Sequence, residues 1–253
     1  MKIVILERNS VGTDVSVEAL SKYGELIIHR NTTASEVAER IKEADIVIAN
    51  KAPLNAETLK YAENVKLICE FATGYDNVDL NYCREKGIKV ANVVNYSTDA
   101  VAQHTFALCF YILEKLRHYD DYVKSGEYAA QDRFSNFDLP YTELAGKTWG
   151  IIGMGNIGRK VAQIAEAFGC KVIFHSVTGK SQCKEYEQVD FTTLLQESDV
   201  LSLHCPLSDI TRNLIDLAAL KKMKETAILI NVARGPVVND EDLYTALTEN
   251  VIL

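Results

Sequence analysis

Short apolar runs alternate with amphipathic helical stretches along the first 97 residues. The apolar runs are KIVIL, ELIIH, DIVIAN, KLICEFA and IKVANV, and between them lie SVEALSKYG, SEVAERIKEA, NAETLKYAEN and NVDLNYCREKG. The runs are rich in β-branched residues and nearly uninterrupted, which is typical of parallel strands buried on both faces. Ser16 and Gly24, which flank the first helical stretch, are residue types that favour helix caps. Residues 1–97 are therefore predicted to form one α/β domain.

A second α/β series occupies residues 98–253. It opens with a linking helix and an arm at 98–147, in which VAQHTFALCFYILEKL predicts a buried helix and SGEYAAQDRFSNFDLPYTELAGK predicts an extended connection. The strand-like runs TWGIIGM, KVIFHS, DVLSLHCPL and TAILINVA then alternate with helical stretches. The predicted fold class is therefore α/β, with two doubly wound parallel-sheet domains.

Composition excludes several classes of function. The formal net charge of −8 disfavours nucleic acid as a partner, because DNA affinity comes largely from Lys and Arg. The six cysteines are scattered singly, which favours reduced thiols in a cytoplasmic protein, and no metal site is predicted. The N-terminus becomes charged within seven residues, so it predicts a first strand rather than a signal peptide. No apolar run approaches the roughly 20 residues of a membrane span.

The segment GMGNIG places Gly153, Gly155 and Gly158 between an apolar strand and a helix. This context favours a dinucleotide site over a plain glycine-rich turn. Gly153 would permit the tight turn, Gly155 would let the backbone approach a diphosphate, and Gly158 would let the helix pack on the strand. The N–H groups at the start of the helix would then face the anion.

The next strand ends at Ser176, where an NAD site usually carries Asp or Glu to bind the ribose hydroxyls. A missing carboxylate removes repulsion of a 2′-phosphate, which hydroxyl groups and Lys180 could hold. Ser176 could equally bind the ribose hydroxyls of NAD. The cofactor is therefore expected to be NAD or NADP, with the preference open.

Five segments are distinctive as whole motifs: FATGYDNVDL, GIKVANVVNYSTDAVAQHTFAL, GIIGMGNIGRKVAQIAEAFGCKV, SDVLSLHCPLSDITRNLI and TAILINVARGPVVNDEDLYTAL. In this order they resemble the D-isomer-specific 2-hydroxyacid dehydrogenases, the family of glycerate dehydrogenases and hydroxypyruvate/glyoxylate reductases. The resemblance implies a flavodoxin-like substrate-binding domain at 1–97 and a Rossmann dinucleotide-binding domain at 98–253. It also implies NAD(P)-dependent hydride transfer at C2 of a small D-2-hydroxy or 2-oxo acid, and a homodimer formed through the arm.

The resemblance assigns site residues by matching motifs. Arg234 matches the catalytic arginine, whose guanidinium can fork to the carboxylate and carbonyl of a 2-oxo acid. Thr73 and Gly74 match the loop that binds the substrate carboxylate. Lys51, which ends the third predicted strand, is a further substrate candidate or an ordinary solvated lysine. The matching cofactor positions, which would otherwise be packing residues, are Val101, Met154, Asn156, Ile157, Cys205, Pro206, Thr211, Val232 and Ala233.

No histidine lies in the motif context from which the family takes its proton donor. His104 falls in the apolar helix and is expected in the core. His175 precedes Ser176 on the adenosine side of the expected cofactor, and His204 is on a strand beside Cys205. The family's His–Glu pair lies beyond the equivalent of Leu253, so the chain is expected to be truncated and catalytically impaired. A dinucleotide-sensing, corepressor-like binding protein is the alternative. A methyltransferase shares a glycine-rich turn but has no reason to carry NVARG or TGYDN.

Overall fold

The computed structural model describes residues 1–252 and contains two compact units, Met1–Ser97 and Thr98–Leu253. Each unit is built on its own five-stranded parallel sheet. All the strand pairings within both sheets are parallel, as the near-continuous apolar runs predicted. The α/β fold class is thus confirmed.

The first sheet has the strand order β2-β1-β3-β4-β5, which is the order of flavodoxin-like domains. Its strands are β1 (Lys2–Ile5), β2 (Glu25–Ile28), β3 (Ile46–Ala49), β4 (Leu67–Glu70) and β5 (Lys89–Ala91). Side chains of β1 and β3 are buried on both faces, whereas β4 buries Ile68 and Glu70 on one face and leaves Leu67 and Cys69 half-buried on the other. The carboxyl ends of these three strands therefore lie together at one edge of the sheet.

The helical segments of the first unit are short. They are α1 (Val37–Ile41), α2 (Ala56–Leu59) and α3 (Leu80–Lys86). Asn55 and Asp79 cap the last two by accepting backbone N–H groups of the first turn. The stretch SVEALSKYG forms a 3-10 helix at Glu18–Tyr23 rather than an α-helix.

The second unit begins with α4 (Thr98–Leu113), α5 (Leu116–Lys124) and α6 (Glu127–Ala130). The segment VAQHTFALCFYILEKL was expected to form a single helix, but Lys115 within it has a left-handed φ of 51°, which separates α4 from α5. The prediction of a buried helix is only half right. Ala102, Thr105, Phe106 and Cys109 of α4 are buried, whereas Leu108, Tyr111 and Ile112 are exposed.

The second sheet has the order β10-β9-β6-β7-β8. Counted within the unit this is 5-4-1-2-3, the order of the first five strands of a Rossmann fold. Its elements are β6 (Thr148–Ile152), α7 (Asn156–Ala167), β7 (Lys171–His175), β8 (Glu187–Gln188), α8 (Phe191–Glu197), β9 (Val200–Leu203), α9 (Leu217–Leu220), β10 (Ile228–Asn231) and α10 (Asp240–Thr248). The two-residue strand β8 was not predicted.

The core of the second unit packs around Trp149, Ile151, Ile152 and Phe174, which are fully buried. All six cysteines are free thiols, as expected; five are buried and Cys69 is half-buried. Within residues 1–252, no helix combines the length and apolar character needed to cross a bilayer.

Candidate functional site

The glycine turn between β6 and α7 has the three distinct geometries that its spacing predicts. Gly153 has a φ of +97°, and a Cβ there would lie 2.7 Å from the backbone nitrogen of Cys205. A Cβ on Gly158 would lie 2.2 Å from the carbonyl oxygen of Gly153, so α7 packs directly on the strand end. A Cβ on Gly155 would meet no atom within 4 Å, because this position faces open space.

Helix α7 begins at this turn without a side-chain cap. Gly155 is its N-cap residue and offers no side chain to the first-turn N–H groups, and the first turn carries no acidic residue. The leading N–H groups of a helix have no intrahelical acceptors, and they sit at the positive end of the helix dipole. The uncapped end of α7 is thus suited to an anion.

A cavity of about 400 Å³ lies over this turn. Eight predicted cofactor residues line it: Gly153, Met154, Gly155, Ser176, Lys180, Cys205, Pro206 and Thr211. Six further residues line the cavity, namely Val177, Thr178, Ser181, Gln182, Ser208 and Ile210. Thr178 and Ser181 are among the hydroxyl groups expected behind Ser176, and the other four were not predicted. Each lies within three positions of a predicted residue, so the signal available in the sequence was the two segments 176–182 and 205–211 as wholes.

Lys180 is the one charged residue among the described residues that line the cavity. It lies in the loop after β7, which folds on itself: the backbone N–H of Ser181 donates to Ser176 Oγ at 3.3 Å, and Gly179 donates to the Ser176 carbonyl oxygen at 2.9 Å. The loop is also tied to α7, because Arg159 forms an ion pair with Glu185 at 3.1 Å. The wall of the cavity at Ser176 therefore combines hydroxyl groups and a cation.

The segment after β9 closes the opposite side of the cavity. Thr211 is buried, and its hydroxyl donates to the Pro206 carbonyl oxygen at 2.7 Å and accepts the Ser208 N–H at 2.8 Å. The side chain of Thr211 thus stabilises the turn that lines the cavity. Its hydroxyl is not free to bind a ligand there.

The other predicted cofactor residues do not line this cavity. Asn156, Ile157 and Gly158 form the first turn of α7 beside it. Val101 lies on α4, where its carbonyl oxygen accepts the Thr105 hydroxyl. Val232 and Ala233 follow β10 and pack against the two cores of this unit.

Arg234 lies three residues beyond the end of β10, at the same carboxyl edge as the glycine turn. Strand β9 separates β10 from β6, so the two strand ends are about 10 Å apart. Arg234 Nη1 donates to the Ala233 carbonyl oxygen at 2.9 Å, and Asn231 Nδ2 donates to the Arg234 carbonyl oxygen at 2.9 Å. Asn231 therefore fixes the loop that presents the guanidinium, which is half-buried.

The histidines of this unit differ from expectation at one position. His104 was expected in the core, but it is exposed on α4 because the buried stripe of that helix runs through Ala102, Thr105 and Phe106. His204 Nε2 lies 3.0 Å from Ser202 Oγ, which accepts Trp149 Nε1–H at 2.9 Å. Burial lowers the pKa of His204 to about 4, so its imidazole is neutral at neutral pH.

In the first unit, Lys51 and the loop of Thr73 and Gly74 lie at the carboxyl edge of the sheet. Lys51 is exposed, and its backbone N–H donates to Glu7 Oε2 at 2.8 Å. Thr73 Oγ1 donates to the Val93 carbonyl oxygen at 2.9 Å, and Asn92 Nδ2 donates to the Thr73 carbonyl oxygen at 2.7 Å. The backbone N–H groups of Thr73 and Gly74 donate to no acceptor among the described residues. They are therefore able to bind an anion.

Comparison with known proteins places the chain in a family. Residues 106–253 match the family model described as D-isomer specific 2-hydroxyacid dehydrogenase, NAD binding domain. The chain is 38% identical over 252 residues to glycerate dehydrogenase of Methylorubrum extorquens, and this match covers 99% of the chain and 78% of that enzyme. It is 36% identical over 259 residues to hydroxypyruvate reductase of Blautia hydrogenotrophica, with 100% and 80% covered.

Solved structures agree with this placement. An acyclic imino acid reductase, Bsp5, in complex with NADPH and D-Arg superposes with a TM-score of 0.89 at 31% identity, covering 100% of this chain and 80% of the other. D-lactate dehydrogenase from Aquifex aeolicus, complexed with NAD and lactic acid, superposes with a TM-score of 0.86 at 31% identity, covering 100% and 74%. This chain belongs to the D-isomer specific 2-hydroxyacid dehydrogenase family.

Proposed function

We propose that this chain binds NAD or NADP in the cavity over the glycine turn and acts as an oxidoreductase on a small D-2-hydroxy or 2-oxo acid. The observation that carries the proposal is the turn itself. Two of its glycines are required by close contacts of the fold, while Gly155 stands open beneath the cavity where a side chain would block access to the backbone. A bound nicotinamide supplies or accepts the hydride.

The residues around the turn fit the parts of a dinucleotide. The uncapped amides at the start of α7 are suited to the diphosphate, and Cys205 and Pro206 offer an apolar wall to the adenine side. The hydroxyl groups of Ser176 and Thr178 and the ammonium of Lys180 would surround the adenosine ribose. Because no carboxylate lines this wall among the described residues, we propose that the site accepts NADP as well as NAD.

Arg234 and the Thr73–Gly74 loop are proposed to handle the acid. The guanidinium would bind the substrate carboxylate and polarise the C2 carbonyl, which favours attack by hydride because it stabilises the negative charge that develops on oxygen. In the first unit, the N–H groups of Thr73 and Gly74, which donate to no acceptor among the described residues, are suited to a carboxylate, and Lys51 is an exposed cation at the same edge of that sheet. The family resemblance and these local geometries support the assignment together.

A second candidate is a dinucleotide-binding protein without catalysis. It is favoured by one observation: His204, which directly precedes the cavity residue Cys205, is held neutral by burial and is hydrogen-bonded to the buried Ser202, which suits it to a structural role rather than to proton transfer.

We also propose that the chain forms a homodimer through the arm at 125–147. The arm exposes Phe134 by 91% and Phe137 by 75%, and α4 exposes further apolar side chains. Clustered exposed aromatic residues of this kind mark association surfaces. Measurement of the mass in solution tests the proposal, since a dimer has twice the 28.2 kDa of the chain.

The function is tested by two measurements on the same protein. Titration with NADPH and NADH, followed by calorimetry, measures dinucleotide binding. Oxidation of NADPH or NADH with glyoxylate or hydroxypyruvate, followed at the nicotinamide absorbance, measures hydride transfer. Binding together with turnover supports the oxidoreductase, binding without turnover supports the second candidate, and failure to bind either dinucleotide contradicts both.

A further inference from the structure

The carboxyl group of Glu70, which forms no ion pair within residues 1–252, is buried at the end of β4, next to the proposed acid-binding loop. Glu70 is 2% exposed, and its Oε1 accepts Asn77 Nδ2–H at 3.0 Å. Its Oε2 is buried and has no hydrogen-bond partner within residues 1–252. A buried carboxylate with a free oxygen is costly, so the fold favours the protonated form of Glu70.

Asn77 connects Glu70 to two segments at the carboxyl edge of the first sheet. Its Nδ2 also donates to the Ala52 carbonyl oxygen at 3.0 Å, and its backbone carbonyl oxygen accepts the Leu54 N–H at 2.8 Å. Asn77 thus ties the loop at 71–77, which carries Thr73 and Gly74, to the loop after β3. Glu70 immediately precedes the loop at 71–77, and its carboxyl group is hydrogen-bonded to Asn77, the last residue of that loop.

The charged and titratable groups around Glu70 come from each neighbouring segment. Glu7, after β1, accepts the N–H groups of Asn50, Lys51 and Ala52 at 2.8–2.9 Å. Burial is the main cause that raises the pKa of Glu70, to about 7, and the Asn77 hydrogen bond opposes it. The carboxylates of Glu7 and Asp76 raise this pKa further, while Lys51 lowers it. Burial raises the pKa of the Cys69 thiol, and the neighbouring Glu70 carboxylate raises it further.

We propose that Glu70 is a positioning residue whose protonation is coupled to acid binding by the Thr73–Gly74 loop. The proposal rests on the proposed function, which assigns the substrate carboxylate to this loop. An ionised Glu70 places a buried negative charge at the start of a loop that must accept an anion, hydrogen-bonded to the residue at the other end of that loop. A protonated Glu70 keeps the hydrogen bond to Asn77 without that charge. Acid binding and protonation of Glu70 therefore favour each other, and by linkage each strengthens the other by the same factor.

The test follows Glu70 and the loop by NMR in the labelled wild-type chain. The 13C signal of the Glu70 carboxyl, the backbone amides of Thr73 and Gly74, and the side-chain amide of Asn77 are recorded across the pH range. The probe is oxamate, an inert analogue of a 2-oxo acid. The variant is Glu70→Gln, which keeps the hydrogen bond from Asn77 but cannot ionise. The control is Glu63→Gln, which removes an exposed carboxylate of the same unit.

We expect all these signals to share a transition near neutral pH in the wild type and in Glu63→Gln, and the loop amides to lose it in Glu70→Gln. Oxamate should move the transition to higher pH, and its affinity should fall on the order of fivefold between a pH of about 6 and about 8.5. In Glu70→Gln the affinity should not change across this range. Should that variant fail to fold, the shift that oxamate causes in the wild type decides the matter.

The contrary results distinguish failure of the coupling to Glu70 from failure of the proposed acid site. A Gly74 amide without a transition near neutral pH, or one that keeps its transition in Glu70→Gln, overturns the coupling. Oxamate binding that is equally tight at both pH values also overturns the coupling and leaves the acid site intact. Absence of oxamate binding at both pH values, with the Gly74 transition present, overturns the proposed acid site instead.

Discussion

The carbonyl oxygen of Gly153 lies 2.2 Å from the position that a Cβ would take on Gly158. The contact joins the end of β6 to the first turn of α7, and both partners are backbone atoms or atoms attached to them. Neither can move aside as a flexible side chain would. The approach of this helix to its strand therefore depends on glycine at position 158.

Replacing Gly158 by Ala should destabilise the second unit by about 1–3 kcal/mol, because the added methyl group forces α7 away from the strand end. Trp149 is the single tryptophan of the chain and is fully buried in this unit, so its fluorescence follows unfolding by denaturant. Gly235→Ala is the control, since its Cβ would meet no atom within 4 Å. Equal stability of the two variants would show that the close contact is not a constraint.

Replacing Ser176 by Asp should reverse the tolerance for NADP. A carboxylate at the end of β7 would repel a 2′-phosphate and accept hydrogen bonds from the ribose hydroxyls, so NADPH affinity should fall at least about tenfold while NADH affinity is kept or improved. Calorimetric titration with each dinucleotide measures both effects. Ser176→Asn, which has the same shape without the charge, should lose far less NADPH affinity. If Asp and Asn act alike, charge at this wall does not select the cofactor.

Replacing Arg234 by Lys should impair use of the acid without weakening the dinucleotide. Lysine keeps the charge but cannot fork to a carboxylate and a carbonyl, so kcat/KM for glyoxylate should fall about 100-fold. Affinity for NADPH should stay within about twofold, because the residue does not line the cavity. Arg84→Lys, at an exposed position of the first unit, should change neither quantity. A loss confined to dinucleotide affinity would assign Arg234 to the cofactor instead.

The buried imidazole of His204 should make the second unit less stable in acid. Its folded pKa, about 4, is below the ordinary value near 6.5, so the unfolded chain takes up the proton first as the pH falls. The free energy of unfolding is therefore highest above pH 6.5 and falls by about 3 kcal/mol in total towards pH 4. Unfolding followed by Trp149 fluorescence should show this slope in the wild type.

Two substitutions separate this effect from other titrations. His204→Gln should flatten the slope between these pH values, and His104→Gln, at an exposed position on α4, should leave it unchanged. A wild-type stability that is constant between pH 6.5 and 4 would show that His204 titrates normally in the folded chain.

The pattern of apolar residues predicted the two sheets because a parallel strand that is buried on both faces needs a short continuous run of apolar residues, which is visible in the sequence alone. The same pattern could not predict the break at Lys115, where a left-handed φ occurs in a residue with no sequence preference for it. It misplaced His104 because an apolar helix was taken to be buried all round, whereas one face of α4 is exposed.

The sequence likewise predicted one part of the candidate site and not another. The glycine spacing predicted the turn residue by residue, since each glycine answers to a backbone constraint. Thr211 was matched to a cofactor position, but the hydrogen bonds of its hydroxyl to Pro206 and Ser208 appear only when the turn is folded. Glu70 gave no signal in the sequence, because its burial depends on Asn77 and on the loop after β3.

The proposed cofactor site depends above all on the backbone at Gly155, on which the diphosphate of a dinucleotide would rest. The most direct test is calorimetric titration of NADPH and NADH into the wild type and into Gly155→Asn. Asn is a favourable N-cap residue for α7 and its Cβ enters open space, so thermal stability should be maintained while the side chain fills the approach to the backbone. The variant should bind both dinucleotides at least about tenfold more weakly than the wild type, at an unchanged melting temperature. Equal affinity in the two proteins would show that the diphosphate does not rest on this backbone.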